Sequence, residues 1–266
     1  MINSYSMIAA DSSDLIPLIA AKIGVNDFSG ACELSWEQRK QLRRCGAFHS
    51  AAVRSACGAG AAAIPADRLA EAEIILLSRF GDQDTTGNFI DDLIDYGNTQ
   101  GSPIKFAHSN HNTAAAYVAR TLGAGGAIVT LVNFEHVFVN ALTLAAAHLE
   151  LGRERDVILI QVESLSALSC ILMNGLKGLE PEKNSSLSAH EKVFCESGCL
   201  ILSSVRDEHN ICSLEIAQAD GTDNDAYCLE NSRLPEMCKL VGAIMRGKEL
   251  SRCHVDGETE LLIRKI

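Results

Sequence analysis

With 266 residues, 47% of them hydrophobic, and a formal net charge of −11, the chain is long enough to bury a full core as one large α/β body. That negative field repels nucleic acid and anionic membrane surfaces, so neither is an expected partner. The stretch Met1 to Asp11 lacks the basic residues and long apolar core of a signal peptide, and no later run reaches membrane-spanning length; a cytoplasmic protein without membrane insertion is expected.

In chain order, Met7–Ala10 reads as a short strand and Asp14 to Gly24 as a helix capped by Ser12 or Ser13. Trp36 to Ala63 has a helical pattern interrupted by Gly46, Gly58 and Gly60, and Pro65 ends it. Glu73 to Arg79 is a strand. Thr85 or Thr86 then caps a helix running to Tyr96, with Phe89, Leu93 and Ile94 on one face and Gly97 closing it. Gln100 to Lys105 reads as a turn, and Asn110 as the cap of a helix from Asn112 to Leu122 that stops at Gly123. Two strand-like runs follow, Ala127 to Val132 and Asp156 to Val162, separated by a helix from Glu135 to Glu150. That helix is apolar on nearly every side between Val137 and Ala147, which predicts a buried helix too short to span a bilayer. Strand, buried helix, strand is a parallel crossover unit. Asn174 to Ser188 reads as a surface loop. Cys199–Ser204 and Ile211–Ala217 read as a hairpin-like pair of strands, Tyr227 to Met245 as a helix, and Glu260–Arg264 as a final strand. The alternation predicts a layered α/β fold with a mostly parallel sheet around a buried helix.

Ten cysteines are scattered, only Cys195 and Cys199 lying close together, and no CxxC pair exists. Neither a zinc site nor a redox motif is supported, and no metal or cofactor is expected. Most of these thiols are expected to be buried small hydrophobes. The GxGxxA in Cys57-Gly-Ala-Gly-Ala-Ala-Ala63 follows no predicted strand, so it is read as close helix packing and not as a dinucleotide loop. Glu37-Gln-Arg-Lys-Gln-Leu-Arg-Arg44 gathers four cations, Arg39, Lys40, Arg43 and Arg44, in an otherwise acidic chain; a solvated helix face and a docking site for an acidic partner both fit. Phe106-Ala-His-Ser-Asn-His-Asn112 is richer in polar side chains than a plain connection needs, which suits either helix capping or the lining of an interface or pocket.

Several stretches between Glu73 and Glu163 carry a resemblance. Leu76-Leu-Ser-Arg-Phe-Gly-Asp82, Ser102-Pro-Ile-Lys-Phe-Ala-His-Ser-Asn-His-Asn-Thr113 and Gly152-Arg-Glu-Arg-Asp-Val-Ile-Leu-Ile-Gln-Val162 resemble the ketosynthase branch of the thiolase superfamily. More narrowly, they resemble the short, chain-length-factor-like proteins of aryl-polyene type II polyketide systems. The resemblance implies a single thiolase-like domain over 1–266, with a first repeat to about residue 205 and a truncated second repeat over 206–266. Counting back from Gly152, it places the nucleophile position of an active ketosynthase on Glu135. No Gly-His-Thr segment supplies the histidines of the second repeat.

Claisen condensation needs a thiolate to hold the acyl chain and imidazoles to stabilise developing charge. A carboxylate at the helix start supplies neither. What the resemblance implies is therefore a non-catalytic subunit that pairs with an active ketosynthase in type II polyketide or fatty-acid-like biosynthesis, as a heterodimer or larger assembly, shapes its acyl tunnel, and meets an acyl carrier protein. It would place Phe134, His136, Val137, Phe138, Phe106, His111 and Asn112 at the interface or tunnel, and Arg39, Lys40, Arg43 and Arg44 at the carrier protein. Two other functions stay open: a decarboxylase or hydrolase using Glu135 as general base with His111 or His136 nearby, and a stand-alone pseudoenzyme dimer or carrier scaffold.

Overall fold

The computed structural model describes residues 16–19, 34–59, 64–97, 101–133, 136–151, 156–165, 194–204, 210–218, 227–228, 250–254 and 259–265. In chain order these form β1 (Ile16–Ile19), α1 (Trp36–Leu42), α2 (Ala47–Gly58), α3 (Ala66–Glu71), β2 (Glu73–Ser78), α4 (Gln83–Tyr96), α5 (Pro103–Ser109), α6 (Asn112–Leu122), β3 (Ile128–Val132), α7 (Val137–Leu151), β4 (Asp156–Leu165), β5 (Phe194–Ser203), β6 (Asn210–Gln218), β7 (Tyr227–Cys228), β8 (Leu250–His254) and β9 (Thr259–Lys265). The predicted Met7–Ala10 strand, the Asn174–Ser188 loop and all but the first two residues of the predicted Tyr227–Met245 helix lie outside the described residues.

Among the described residues the strands join in one sheet of order β3-β2-β4-β5-β1-β6-β9-β8-β7. The block β3-β2-β4 is parallel. There the crossovers are helical, α4 to α6 between β2 and β3 and α7 between β3 and β4, as parallel pairing requires. Beyond β4 every pairing is antiparallel except that of β7 with β8. The sheet is therefore mixed, and the expected mostly parallel arrangement holds only where a helix spans each crossover.

Helices cover both faces of the parallel block. Glu73 of β2 meets His148 of α7, and Ser55 of α2 lies 2.6 Å from Ser197 of β5. Glu73 is in register with Val157 and Ser197 with Val162, five positions apart on β4, so the two contacts fall on opposite faces. α7 lies on one face; α2 and α6 lie together on the other. The core between them includes Ile74 to Leu77 of β2, Val157 to Ile160 of β4 and Leu200 to Leu202 of β5. Each such side chain removed from water contributes about 1.5–3 kcal/mol. Arg68 of α3 ties that helix to the sheet through Asp156 and the Ser203 hydroxyl, which it reaches at 2.7 Å.

Four local expectations change. Ile16–Ile19 is a strand and not part of a helix: a short apolar run with two β-branched ends fits between β5 and β6, where pairing outweighs local helix preference. β5 and β6 are consequently not a hairpin, because β1 separates them. Asp82, not Thr85 or Thr86, caps α4, its Oδ1 accepting the Thr85 N–H at 3.1 Å. The Ser102-Pro103 pair opens a helix where a turn was expected: the Ser102 hydroxyl accepts the Lys105 N–H, and Pro103 occupies the first-turn position, where its missing N–H costs nothing.

Candidate functional site at the sheet edge

The carboxyl ends of β3, β2 and β4 lie side by side, the place where open α/β sheets bind ligands. At this edge Glu163 of β4 gathers donors from the end of β2. Its two carboxylate oxygens accept the Arg79 N–H at 3.0 and 3.1 Å, the Ser78 hydroxyl at 3.3 Å and the Gln161 amide at 2.9 Å. The Arg79 guanidinium stands 3.6 Å away, and both side chains are almost fully buried, at 5% and 3% exposure. Burial pushes the Glu163 carboxyl above the usual carboxylate range, against the pull of the Arg79 charge and of the hydrogen bonds. Ser78 also accepts the Gly81 N–H, while its carbonyl takes the Asn133 N–H at 3.2 Å, so the end of β3 is pinned to this cluster immediately before the turn into α7.

The sequence joining β3 to α7 is Asn133-Phe134-Glu135-His136, which contains no cysteine. Phe134 and Glu135 lie outside the described residues. His136 is exposed, and its φ of 56° is left-handed, a conformation uncommon for a residue with a Cβ. Its carbonyl accepts the Asn140 N–H at 2.9 Å, so the expected helix starts just after it, at Val137 and not at Glu135. Val137 and Phe138 are buried in this chain's own core.

A second polar cluster joins α2, α4, α5 and α6. His49 is only 1% exposed, and neither ring nitrogen makes a hydrogen bond among the described residues. Its Nδ1 is 3.4 Å from Asp82 Oδ2. Its ring lies 5.1 Å from that of His108 and edge-on to Tyr117 at 5.8 Å. His108 Nε2 is 3.2 Å from Tyr117 Oη, and Tyr117 in turn bonds Cys45. Burial pulls His49 down to about 4 despite the nearby Asp82 carboxylate, so the ring is neutral at pH 7. Burial likewise raises the Cys45 thiol, the opposite of what an activated nucleophile needs.

The remaining expected site residues are on the surface. Phe106 (65% exposed), His111 and Asn112 are exposed on α5 and at the start of α6. With Ile90, Ile94 and Tyr96 of α4 and Ile104 of α5, Phe106 belongs to an unusual concentration of exposed apolar side chains. β3 ends the strand order, so one of its edges is unpaired among the described residues, with Ile128 and Val132 exposed along it. Arg39, Lys40, Arg43 and Arg44 are exposed on and just beyond α1, where Lys40 also sits 5.1 Å from the ring centre of Trp36.

Sequence reasoning missed His49, Asp82, Arg79 and Glu163 as a group. Arg79 and Asp82 lie in the Leu76–Asp82 stretch and His108 in the polar Phe106–Asn112 stretch, but nothing local to either marks His49 or Glu163 as their partners.

Residues 40–167 match the family model of the beta-ketoacyl synthase N-terminal domain. That segment is similar to the ketosynthase N-terminal domain. The fold of the chain is shared with the ketosynthase ApeO in complex with its chain length factor ApeC from Xenorhabdus doucetiae, at TM-score 0.53 and 16% identity over 89% of this chain and 83% of that one. It is shared also with the ishigamide ketosynthase/chain length factor, at TM-score 0.62 and 11% identity over 94% and 91% of the two chains. A beta-ketoacyl synthase from Burkholderia phymatum superposes at TM-score 0.63 and 12% identity, covering 90% and 87%. No curated protein matches the sequence. At these identities the structural likeness establishes a thiolase-like layered α/β fold. The ketosynthase-like segment contains the β3 to α7 turn, both polar clusters and the α4–α5 surface. No helix among the described residues is long and apolar enough to cross a membrane.

Proposed function

We propose that this ketosynthase-like chain is a chain-length-factor-like subunit that pairs with an active ketosynthase in type II polyketide biosynthesis, of the aryl-polyene kind, and helps shape the partner's acyl tunnel. The observation that carries this reading is the coincidence of two surfaces that have no partner among the described residues: the open edge of β3, and the apolar patch on α4 and α5 that includes Phe106. An open strand edge with exposed Ile128 and Val132 is a template for another chain and a hazard without one. Ketosynthases paired with chain length factors among the structures of like fold support the choice of partner.

The absence of a cysteine between β3 and α7 supports a non-catalytic role, since condensation needs an acyl-carrying thiolate there. Phe134, His136, Val137 and Phe138 then serve the tunnel end of the interface, with Val137 and Phe138 acting from within this chain's core. The four cations of the α1 region receive the acidic acyl carrier protein in the cytoplasm. In this reading residues 1–205 are the first thiolase-like repeat and 206–266 a partial second.

The test is purification with the cognate ketosynthase followed by mass measurement. A stable one-to-one heteromer, or a multiple of it, burying well over ~2,000 Å² is expected. Separate elution at micromolar concentration overturns the reading, and decarboxylation of malonyl carrier protein by the chain alone replaces it with an enzymatic one.

A further inference from the structure

α4 and α5 are attached to the body in an uncommon way. No residue of α4 is buried, and in α5 only His108 is. Their apolar contacts are largely with each other: the Phe89 and Phe106 rings are 5.5 Å apart, and Phe89 and Leu93 pack on Gly101. Lys105 adds an ion pair to Asp92 at 2.7 Å. What holds this pair of helices to the rest is polar. Asp82, the cap of α4, sits at the His49 ring; His108 meets Tyr117; Ser164 of β4 donates to Asp84 at 3.2 Å.

We infer that α4 and α5 form a partner-docking platform that lifts from the body as a unit, and that the seat made by Asp82, His49, His108 and Tyr117 is an acid-sensitive latch on it. This regulation rests on reading the α4–α5 surface as the partner-binding face. The latch works because His49 is buried with no hydrogen-bond partner for either nitrogen among the described residues. Lifting the platform gives its ring water, and a watered imidazole takes a proton near pH 6.5. The groups facing it are few: Asp82 from the turn before α4, which favours the proton; His108 from α5, which opposes it; and Tyr117 from α6, held by Cys45. His111 packs on Gly81 beside this turn from the exposed side.

The sign follows from linkage. The closed form binds the proton only near pH 4, the open form near 6.5, so opening becomes easier as pH falls through that window. Between pH 8 and pH 5 the opening equilibrium of the platform rises about 30-fold.

Hydrogen exchange of the full chain alone, read by mass spectrometry and corrected for the intrinsic pH dependence, tests this. Peptides covering 83–109 should gain about 30-fold in exchange between pH 8 and pH 5, while those covering β2 and α2 should not. His49→Gln, and as a second variant His49→Asn, should remove most of that gain, because each takes away the group that gains the proton. Exchange in 83–109 that follows β2 at both pH values overturns the latch, as does an undiminished acid response in a folded His49→Gln. Because no partner is present, failure here leaves the heteromer reading standing, and loss of the heteromer reading leaves the exchange result intact.

Discussion

Glu163 closes the end of β2 from the neighbouring strand, its carboxylate taking the Arg79 backbone N–H on both oxygens at 3.0 and 3.1 Å. The Arg79 side chain follows at 3.6 Å, so one carboxylate organises both the backbone and the charge at the end of β2.

Glu163→Ala should therefore lower stability by about 3 kcal/mol, since it leaves buried donors and a buried guanidinium without their carboxylate. Glu163→Gln should cost less and should change the pH profile. The folded carboxyl binds its proton more readily than the unfolded one, so its contribution is full below the ordinary carboxylate range and declines as pH rises through the raised folded value. Urea denaturation at pH 4.5 and pH 8 should show wild type losing ground to Glu163→Gln at the higher pH; parallel curves would contradict the burial argument.

The parts of this fold legible in the sequence are those with a local signature. β2, β4 and α7 announce themselves as apolar runs, and Gly123 at φ 79° ends α6 where a stop signal was expected. Ser102-Pro103 was equally local but ambiguous, because the same pair opens a turn or a helix. The strand at Ile16–Ile19 was not legible: its conformation is decided by β5 and β6, nearly two hundred positions away. The site divides likewise. Exposed Phe106, His111 and the α1 cations were readable as polar or charged clusters in sequence. The seat of His49 draws on four elements, and no one of them carries the signal.

Gly81 combines a left-handed φ of 71° with close packing on the His111 ring, which a Cβ there would strike. Gly81→Ala should cost about 2 kcal/mol, roughly half from the backbone and half from displacing the ring. Gly87→Ala is the control, because open space surrounds Gly87 in mid-α4, and it should be neutral or slightly stabilising. Equal melting temperatures for the two variants would refute the packing argument.

The α1 cations lend themselves to a charge test. Arg43→Glu combined with Arg44→Glu should leave stability within about 0.5 kcal/mol, because both side chains are exposed. The same change should weaken binding of an acyl carrier protein, and the deficit should shrink as salt rises toward 0.5 M. Binding unchanged at low salt would make this region a solvated helix face.

The open edge of β3 gives the sharpest separation between a folded chain and a paired one. Ile128 and Val132 are exposed, so Ile128→Lys and Val132→Lys remove little buried area and should change stability by less than about 1 kcal/mol. An edge lysine blocks strand-to-strand association, because pairing would bury its charge. Each variant should therefore keep the wild-type melting temperature within a few degrees while losing the ketosynthase heteromer in size-exclusion chromatography with light scattering. If the heteromer survives both substitutions, the partner does not use β3, and the α4–α5 platform becomes the contact to test next, with Phe106→Asp and Ile94→Asp as its variants.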